Sequence, residues 1–359
     1  MEALEIIKWF FAALSLIAAL ASLIKWDDWW IRVFDFPRIQ VVVINVLSIL
    51  LFLGVGFTLD LINGLFLLLL IAALIYQGKK IYLYTPFAPK QVAKSSPGKK
   101  GESICTLVCN VYTPNRNSEA LISLIESNNP DLVLTLESDL WWEKQLCSIE
   151  KHLPHTVKVP LDNLYGMHLY SKLPLEDVQV LYIVKEEIPS IHAKVLTPAG
   201  EKINIHCLHP EPPSPSESET STDRDAELLI VAKNVKNHQG PVMVFGDLND
   251  VAWSRTTLLF QKISGLLDPR IGRGFFNTFH AKYPLLRWPL DHIFFSRHFT
   301  LETLRVLPKM GSDHFPVLIR LTLHPRENLD NETEEEAQVS EKSWAAKKID
   351  KADPNLKTI

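Results

Sequence analysis

The sequence predicts an α/β domain whose sheets are covered by helices, preceded by three transmembrane helices. Two observations carry this prediction. Within residues 104–323, short runs rich in β-branched and aromatic residues alternate with amphipathic stretches, and such alternation is typical of sheets with helices on their outer faces. Before residue 84, three long runs are almost free of charge, and a run of roughly 20 apolar residues is long enough to span a bilayer.

The three apolar runs cover residues 6–24, 41–59 and 61–77, and only Asp60 separates the second from the third. The second and third runs therefore predict a tight helical hairpin. The alternative is that all three are buried helices of a soluble protein, but uncharged runs of this length rarely serve soluble cores. We interpret residues 1–84 as a membrane anchor that contacts lipid through three helices.

The basic residues near these runs predict how the anchor is oriented. Three of them lie between the first two runs, six lysines lie between Lys79 and Lys100, and the turn at Asp60 has none. Because short loops rich in Lys and Arg stay in the cytoplasm, we expect the α/β domain on the cytoplasmic side. The Lys79–Lys100 stretch is also a candidate contact for anionic lipid headgroups, although a topology signal in a solvated linker explains it equally well.

A second interpretation of the N-terminus stays open. Ala19-Leu20-Ala21 resembles a signal-peptidase site after an apolar stretch, and cleavage there would leave two spans and place the domain outside the cytoplasm. Glu2 and Glu5 argue against cleavage, because a signal peptide begins with a positively charged segment. The first run also continues to Lys25, so we favour an uncleaved helix.

The overall composition argues against one class of function. The net charge is −4, which is unlike a protein that holds nucleic acid by charge alone. The cysteines show neither metal-ligand spacing nor a disulfide framework, so buried free thiols are the simplest interpretation of Cys105, Cys109, Cys147 and Cys207.

The rest of the chain divides where its composition changes. Pro, Ser and Gly are frequent in residues 85–102, which predicts a linker between anchor and domain. The folded domain is expected over residues 103–324, and the polar residues 325–359 predict a disordered tail. Inside the domain, residues 210–222 are rich in Pro, Ser and Glu and predict a mobile loop.

Each strand of the domain is predicted from a β-rich run, and each helix from an amphipathic stretch. In chain order, the predicted strands are Ile104–Val111, Leu132–Leu136, Met167–Tyr170, Val178–Val184, Ile191–Leu196, Ile203–Leu208, Val242–Phe245, His292–Phe295 and Phe315–Leu321. The predicted helices between them are Ser118–Ser127, Leu140–His152, Asp223–Asn237 and Ser254–Ile263.

The segment Gly246-Asp247-Leu248-Asn249-Asp250 is the most informative motif of the chain. It follows the apolar run 241–245, so a hydrophobic strand ends by presenting an acid and an amide at a sheet edge. Asp247 and Asn249 are two residues apart and point the same way in an extended segment. Core packing does not need such a pair. Phosphate chemistry does, because a carboxylate can polarise a water or hold a metal while an amide orients the attack.

Further polar residues lie at the ends of predicted strands, where catalytic groups are usually mounted on a rigid scaffold. They are Asn110, Glu137, His209, Asp291 with His292, and Asp313 with His314. Each one has a simple structural explanation, such as capping a helix or starting a turn, but together they supply one chemistry. Glu137 with Asp313 or Asp247 offers hard oxygen ligands for Mg²⁺. Asp291 suits the task of holding an imidazole in one tautomer.

In this order, the motifs resemble those of the endonuclease/exonuclease/phosphatase superfamily. The resemblance covers about residues 104–323 and rests on Asn110, Glu137, Ser171-Lys172, His209, Gly246–Asn249, Leu290–His292 and Gly311–Val317. It implies a four-layered sandwich with two central mixed β-sheets flanked by helices. The whole chain resembles a membrane-anchored bacterial branch, in which Asp35-Phe36-Pro37-Arg38 is also familiar, and this implies a location in the inner (cell) membrane.

The resemblance also implies roles at a metal and a phosphate. Glu137 is the expected principal ligand of Mg²⁺, with Asp313 in the same metal region and Mn²⁺ as an alternative ion. Asn110 and Asn249 are expected to bind phosphate oxygens or to orient the nucleophilic water. Asp247 is expected to activate that water.

Two histidines receive roles from the same resemblance. His314, oriented by Asp291, is expected to contact the scissile phosphate and to stabilise charge or transfer a proton. His209 resembles the leaving-group acid of deoxyribonuclease-like and sphingomyelinase-like members. The chain departs from several relatives at His292, where they have Tyr, but the neighbouring Asp291 is retained.

Three functions are compatible with these motifs. The first is a Mg²⁺-dependent phosphodiesterase or nuclease, and the second is a hydrolase of lipid or inositol headgroup phosphates, which the anchor favours. The third is a catalytically silent membrane binding module, against which the full set of polar residues argues. The motifs do not separate the first two functions, because both use the same metal and phosphate groups. They do not indicate an oligomeric state.

Overall fold

The computed structural model describes residues 2–56, 58, 60–95, 101–324, 331–332 and 335–353. The strands are β1 (Glu102–Asn110), β2 (Leu132–Leu136), β3 (His155–Val159), β4 (Met167–Ser171), β5 (Leu175–Leu181), β6 (Ser190–Leu196), β7 (Lys202–Leu208), β8 (Val242–Asp247), β9 (Asp291–Phe295), β10 (Phe299–Val306) and β11 (Val317–Leu323). The helices are α1 (Glu2–Ala21), α2 (Trp29–Arg32), α3 (Arg38–Gly54), α4 (Leu61–Tyr82), α5 (Ser118–Asn128), α6 (Leu140–Leu146), α7 (Thr222–Lys236), α8 (Arg255–Ser264) and α9 (Val339–Ala352).

Two mixed sheets pack face to face at the centre of the domain. Their strand orders are β10-β11-β1-β2-β4-β3 and β5-β6-β7-β8-β9, with β1 parallel to β2 and β7 parallel to β8. Successive strand residues face opposite sides: in β1, Ile104 and Val108 enter the core between the sheets, whereas Cys105 and Leu107 pack under α5 and α6. Helices α7, α8 and α9 cover the outer face of the second sheet. The α/β sandwich with two mixed sheets is therefore confirmed.

The strands that the sequence did not predict are β3 and β10, which form the two edges of the first sheet. An edge strand has one neighbour and is not buried on both faces as a central strand is, so its apolar pattern is weak. All residues of β3 are only half-buried. The predicted helix Leu140–His152 also ends early, because α6 stops at Leu146 and continues as a 3₁₀ turn to Lys151.

Two N-terminal helices, α1 and α4, are long and apolar enough to cross a membrane. The predicted middle span differs from expectation. Helix α3 has 17 residues and meets the same criterion only together with the helical turns at 29–35, from which it is bent by 71°. The side chain of Asp60 accepts hydrogen bonds from the backbone N–H groups of Ile62 and Asn63, and this cap fixes the start of α4.

The predicted linker, residues 85–102, is attached to the domain as far as Ser95. Val92 is fully buried in the core between the sheets, and the Ser95 N–H donates to the Leu301 carbonyl over 2.9 Å beside β10. The strand β1 already begins at Glu102. The composition did not indicate this attachment, because it depends on a few buried side chains and on hydrogen bonds to distant parts of the chain. Residues 96–100, with two of the predicted lipid-binding lysines, lie outside the described part of the chain.

The predicted disordered tail contains helix α9. Ala345 and Ile349 are buried against the helices on the second sheet. The Lys348 ammonium pairs with Asp225 of α7 over 2.8 Å and with Asp27 in the connection after α1. A few apolar contacts and a paired charge thus order a segment whose polar composition predicts disorder. Residues 325–330, 333–334 and 354–359 of the tail lie outside the described residues.

One buried acid of α7 predicts a pH dependence of stability. Burial raises the pKa of Glu227 to about 8, and its Oε1 has no hydrogen-bond partner in the described structure. The folded state therefore holds a proton that the unfolded state releases above about pH 4.5, so stability falls as the pH rises from about 4.5 to 8.

We expect Glu227→Gln to increase the free energy of unfolding by roughly 3 kcal/mol at pH 8 and by little at pH 5. Thermal unfolding of the full chain at both pH values measures the difference. The exposed Glu119→Gln variant is the control. A Glu227→Gln variant whose stability gain is the same at pH 5 and pH 8 would contradict the argument.

Candidate active site

The polar strand ends meet at one edge of the two sheets. Because β1 and β2 are parallel, Asn110 and Glu137 leave the first sheet at the same end, and Asp247 and Asp291 pair directly across β8 and β9 in the second. A cleft of about 660 Å³ opens at this edge. Of the predicted site residues, those that line the cleft are Glu137, His209, Asp247, Asn249, Asp313 and His314.

Asn110 and Asp291 complete a buried hydrogen-bond chain behind the cleft lining. Asn110 Nδ2 donates to Glu137 Oε1 over 2.7 Å and to Asp247 Oδ2 over 3.2 Å. His314 lies between two carboxylates, with Nε2 at 3.4 Å from Asp247 Oδ2 and Nδ1 at 2.8 Å from Asp291 Oδ2. These polar contacts join both sheets, so the packing of the two sheets sets the geometry of the site.

Glu137 is the carboxylate that fits a metal ion best. Burial raises its pKa to about 7, and its Oε2 is buried without a hydrogen-bond partner in the described structure. Its backbone is held at φ 58°, a left-handed conformation that non-glycine residues adopt mainly where the surroundings impose it. A divalent cation would favour the ionised form and satisfy the unpaired oxygen, and Asp313 lines the same cleft as a second hard ligand.

A second set of groups also lies close enough for a metal. One ligand atom each from Asp247, Asp291 and His314 falls within 4.8 Å of the others. Within this set His314 Nδ1 is hydrogen-bonded to Asp291 and His314 Nε2 forms an ion pair with Asp247, so the three side chains already satisfy one another.

The two cleft histidines differ in charge. Burial lowers the pKa of His314, but the carboxylates of Asp291 and Asp247 outweigh it and raise the pKa to about 10. Burial lowers the pKa of His209 to about 4. At neutral pH His314 is therefore a cation and His209 is neutral. An acid role for His209 requires a substrate phosphate beside it to raise that pKa.

The turn after β8 aims Asn249 into the cleft. The Asn249 N–H donates to Asp247 Oδ1 over 3.0 Å, and its side-chain nitrogen donates to the Pro210 carbonyl over 3.0 Å. The backbone of Asn249 is left-handed, with φ 50°. These contacts hold Asp247 and Asn249 in one orientation, as a water-positioning pair needs.

Position 246 needs a glycine because β7 passes too close to β8 there to leave room for a side chain. Its φ is 148°, and a Cβ at this position would lie 1.9 Å from the Leu208 carbonyl oxygen. We expect Gly246→Ala to destabilise the domain by roughly 3 kcal/mol and to displace Asp247. Urea unfolding measures the loss. Gly200→Ala is the control, because Gly200 also has a positive φ but an open surrounding, and equal losses in the two variants would contradict the steric explanation.

Comparison with known sequences now bears on the site. A sequence profile described as the Endonuclease/Exonuclease/phosphatase family matches residues 107–314. The chain belongs to this family. The matched region begins inside β1 and ends at His314, so it contains every predicted site residue.

Two curated bacterial proteins are similar to this chain in sequence. The UPF0294 protein of Vibrio campbellii is 26% identical over 255 residues, which cover 63% of this chain and 79% of that protein. The UPF0294 protein of Erwinia tasmaniensis is 32% identical over 186 residues, which cover 49% of this chain and 54% of that protein.

Solved structures of the family share the fold. D. rerio TDP2 in complex with a single-strand DNA product has a TM-score of 0.52 at 17% identity, covering 61% of this chain and 99% of that one. An endonuclease/exonuclease/phosphatase family protein from Bacteroides thetaiotaomicron has a TM-score of 0.50 at 17% identity, covering 64% of this chain and 99% of that one.

Several cleft residues of this family member were not predicted from the sequence. The expected mobile loop, residues 210–222, forms one wall, where Glu217 accepts a hydrogen bond from the Tyr165 hydroxyl. The connection between α1 and α3 forms another wall, with Trp29 and Phe36 among its lining residues. The sequence had drawn attention to this connection only through the segment Asp35–Arg38, as part of the resemblance to a membrane-anchored branch. Lys172, which belongs to the resembling motifs, does not line the cleft.

Proposed function

We propose that this protein is a membrane-anchored, Mg²⁺-dependent phosphoester hydrolase in which water attacks phosphorus directly. The observation that carries the proposal is the buried chain Asn110–Glu137–Asp247–His314–Asp291, which offers metal-binding oxygens beside a cationic imidazole. Burying these charges costs free energy, and core packing gives nothing in return. A catalytically silent module would have no need of them.

The residues of this site divide the chemistry among them. Asp247 takes a proton from the attacking water, and Asn249 orients that water. The water oxygen bonds to phosphorus while the bond to the leaving oxygen breaks, and the leaving group receives a proton from His209 or solvent. His314 stabilises the phosphate oxygens, whose negative charge grows in the transition state, and Asn110 holds Glu137 and Asp247 in place from behind.

Glu137 and Asp313 would hold the divalent cation. When bound, such an ion neutralises charge on the phosphate oxygens and lowers the pKa of water. Mg²⁺ fits this pair better than zinc, because both ligands are carboxylate oxygens and Mg²⁺ needs only a few of them. Mn²⁺ is the alternative ion.

We also propose that the N-terminal helices anchor the protein in the bacterial inner membrane, with α3 as a third, bent span. The long apolar helices α1 and α4 support this, as do the tryptophans near the ends of the helices. The charge pattern favours a cytoplasmic α/β domain. A reporter fused after residue 353 tests this orientation, since a fusion that is active only outside the cytoplasm would contradict it.

The function is tested with the full chain in a non-ionic amphipol. Plasmid DNA, single-stranded DNA, RNA, phospholipids and inositol phosphates are each offered with Mg²⁺, with Mn²⁺ and with a chelator. We expect hydrolysis of at least one phosphoester with metal and none with chelator. Absence of hydrolysis across the panel, with a folded protein, would favour the silent binding module instead.

A further inference from the structure

The anchor contributes a wall of the active-site cleft. Trp29, Arg32, Val33, Phe36 and Pro37, which lie between α1 and α3, line the same cleft as Asp247 and His314. Most of these wall side chains are apolar. The membrane-adjacent segment is therefore part of the site.

This segment is fixed to the domain by buried polar contacts. Trp253 Nε1 donates to the Asp35 carbonyl over 2.7 Å, and the Asp35 carboxylate pairs with Arg32 over 2.7 Å and with Arg38 over 2.5 Å. The Trp29 N–H donates to the Glu219 carbonyl over 3.0 Å. These contacts fix the cleft wall between α1 and α3 to the α/β domain.

A second segment of the cleft lining, with Leu286 and Trp288, is also apolar and lies next to the start of α3. The rings of Phe36 and Trp288 meet edge to face at 5.7 Å across the two walls. Gln40 Nε2 donates to the Leu285 carbonyl over 2.7 Å. Leu286 lines the cleft and is 47% exposed, and its neighbour Leu285 is 83% exposed, so exposed apolar side chains lie at the cleft where a candidate span begins.

The charges of the cleft do not suit a polyanion. Its described lining includes the acidic residues Glu137, Glu217, Asp247 and Asp313 and the basic residues Arg32, His209 and His314. Arg32 is buried and already paired with Asp35. A nucleic-acid strand needs a track of cations along its backbone, and this lining does not provide one.

We infer that the substrate is a phosphoester carrying a hydrocarbon chain, which enters from the bilayer and lies along the apolar wall with its phosphate at Asp247 and His314. This inference rests on the proposed phosphoester hydrolysis and names its substrate class. The hydrocarbon chain of the substrate would bury apolar area against Val33 and Leu286. Each fully buried methylene is worth roughly a fourfold gain in kcat/KM.

The test uses ethyl, butyl and hexyl p-nitrophenyl phosphodiesters, which stay in water, with the full chain in a non-ionic amphipol and Mg²⁺. For the wild type we expect kcat/KM to be higher for the hexyl than for the ethyl ester by about tenfold or more. Leu286→Asp and Val33→Asp each place a charge in the cleft lining, and in each variant the ratio should fall to about twofold or less. Val178→Asp, on a half-exposed strand outside the cleft, should keep the wild-type ratio.

The possible outcomes distinguish a failure of the lipid-like substrate from a failure of the proposed phosphoester hydrolysis. A wild type that hydrolyses the esters without regard to chain length overturns the lipid-like substrate and leaves the phosphoester hydrolase standing. The same holds for a wild type that prefers a dinucleotide to the hexyl ester, or for wall variants that keep the wild-type ratio while folded. A folded wild type that cleaves no ester with any metal overturns both proposals. Unfolding temperatures of all variants establish that they are folded.

Discussion

Replacing Glu137 with Gln should abolish the metal response of this protein. The variant keeps the size of the side chain and the acceptor for Asn110 Nδ2 but removes the negative charge that a divalent cation needs. We expect kcat for phosphoester hydrolysis to fall on the order of a thousandfold, since a bound cation supplies several kcal/mol of transition-state stabilisation.

The same variant gives a second measurement that does not depend on activity. A ligand that binds only the folded state raises the unfolding temperature, so Mg²⁺ should stabilise the wild type and leave Glu137→Gln unaffected. Without metal, Glu137→Gln should be at least as stable as the wild type, because burial raises the pKa of Glu137 to about 7 and its ionised form is unfavourable. The exposed Glu126→Gln is the control. A Mg²⁺-induced shift that survives in Glu137→Gln would place the metal elsewhere.

Replacing Asp291 with Asn should slow the reaction without weakening metal binding. The Asp291 carboxylate holds His314 Nδ1 at 2.8 Å and is itself buried. Asn has the same shape but cannot hold the imidazole as a cation with a fixed tautomer. By analogy with other buried Asp–His pairs, we expect a loss in kcat on the order of a thousandfold or more.

A double-variant cycle distinguishes this positioning role from general damage to the fold. If Asp291 acts through His314, the pair Asp291→Asn and His314→Ala should lose little more activity together than His314→Ala loses alone. The Mg²⁺-induced rise in unfolding temperature should persist in all three variants. Losses that multiply in the double variant would show that Asp291 and His314 act independently.

The sequence predicted which polar residues meet at the cleft, because strand ends are local features. The strand Leu132–Leu136 matches β2 residue for residue, and parallel pairing of β1 with β2 brings the residues after them to one edge. Any sequence that places Asn110, Glu137 and Asp247 directly at strand ends also places them near one another in such a sandwich. The predicted set therefore meets around a single cleft.

The surroundings of the site could not be predicted in the same way, because they depend on contacts between distant segments. Asp35 meets Trp253 and Lys348 meets Asp27, pairs more than two hundred positions apart that no local pattern reveals. The composition of residues 210–222 predicted mobility, yet the loop forms a cleft wall. Edge strands and helix α9 were missed because their apolar residues are few and their charges are satisfied only in the folded chain.

The most direct test of the account compares the wild type with Asp247→Asn in phosphodiester hydrolysis, each with Mg²⁺ and with chelator. Asp247 lies within reach of Asn110 and His314 and faces the cleft, so its carboxylate is the proposed acceptor of the water proton. We expect hydrolysis by the wild type with Mg²⁺ alone, and a loss on the order of a hundredfold or more in the variant. Equal hydrolysis by both proteins, or hydrolysis that survives the chelator, would contradict the proposed roles of Asp247 and of the metal.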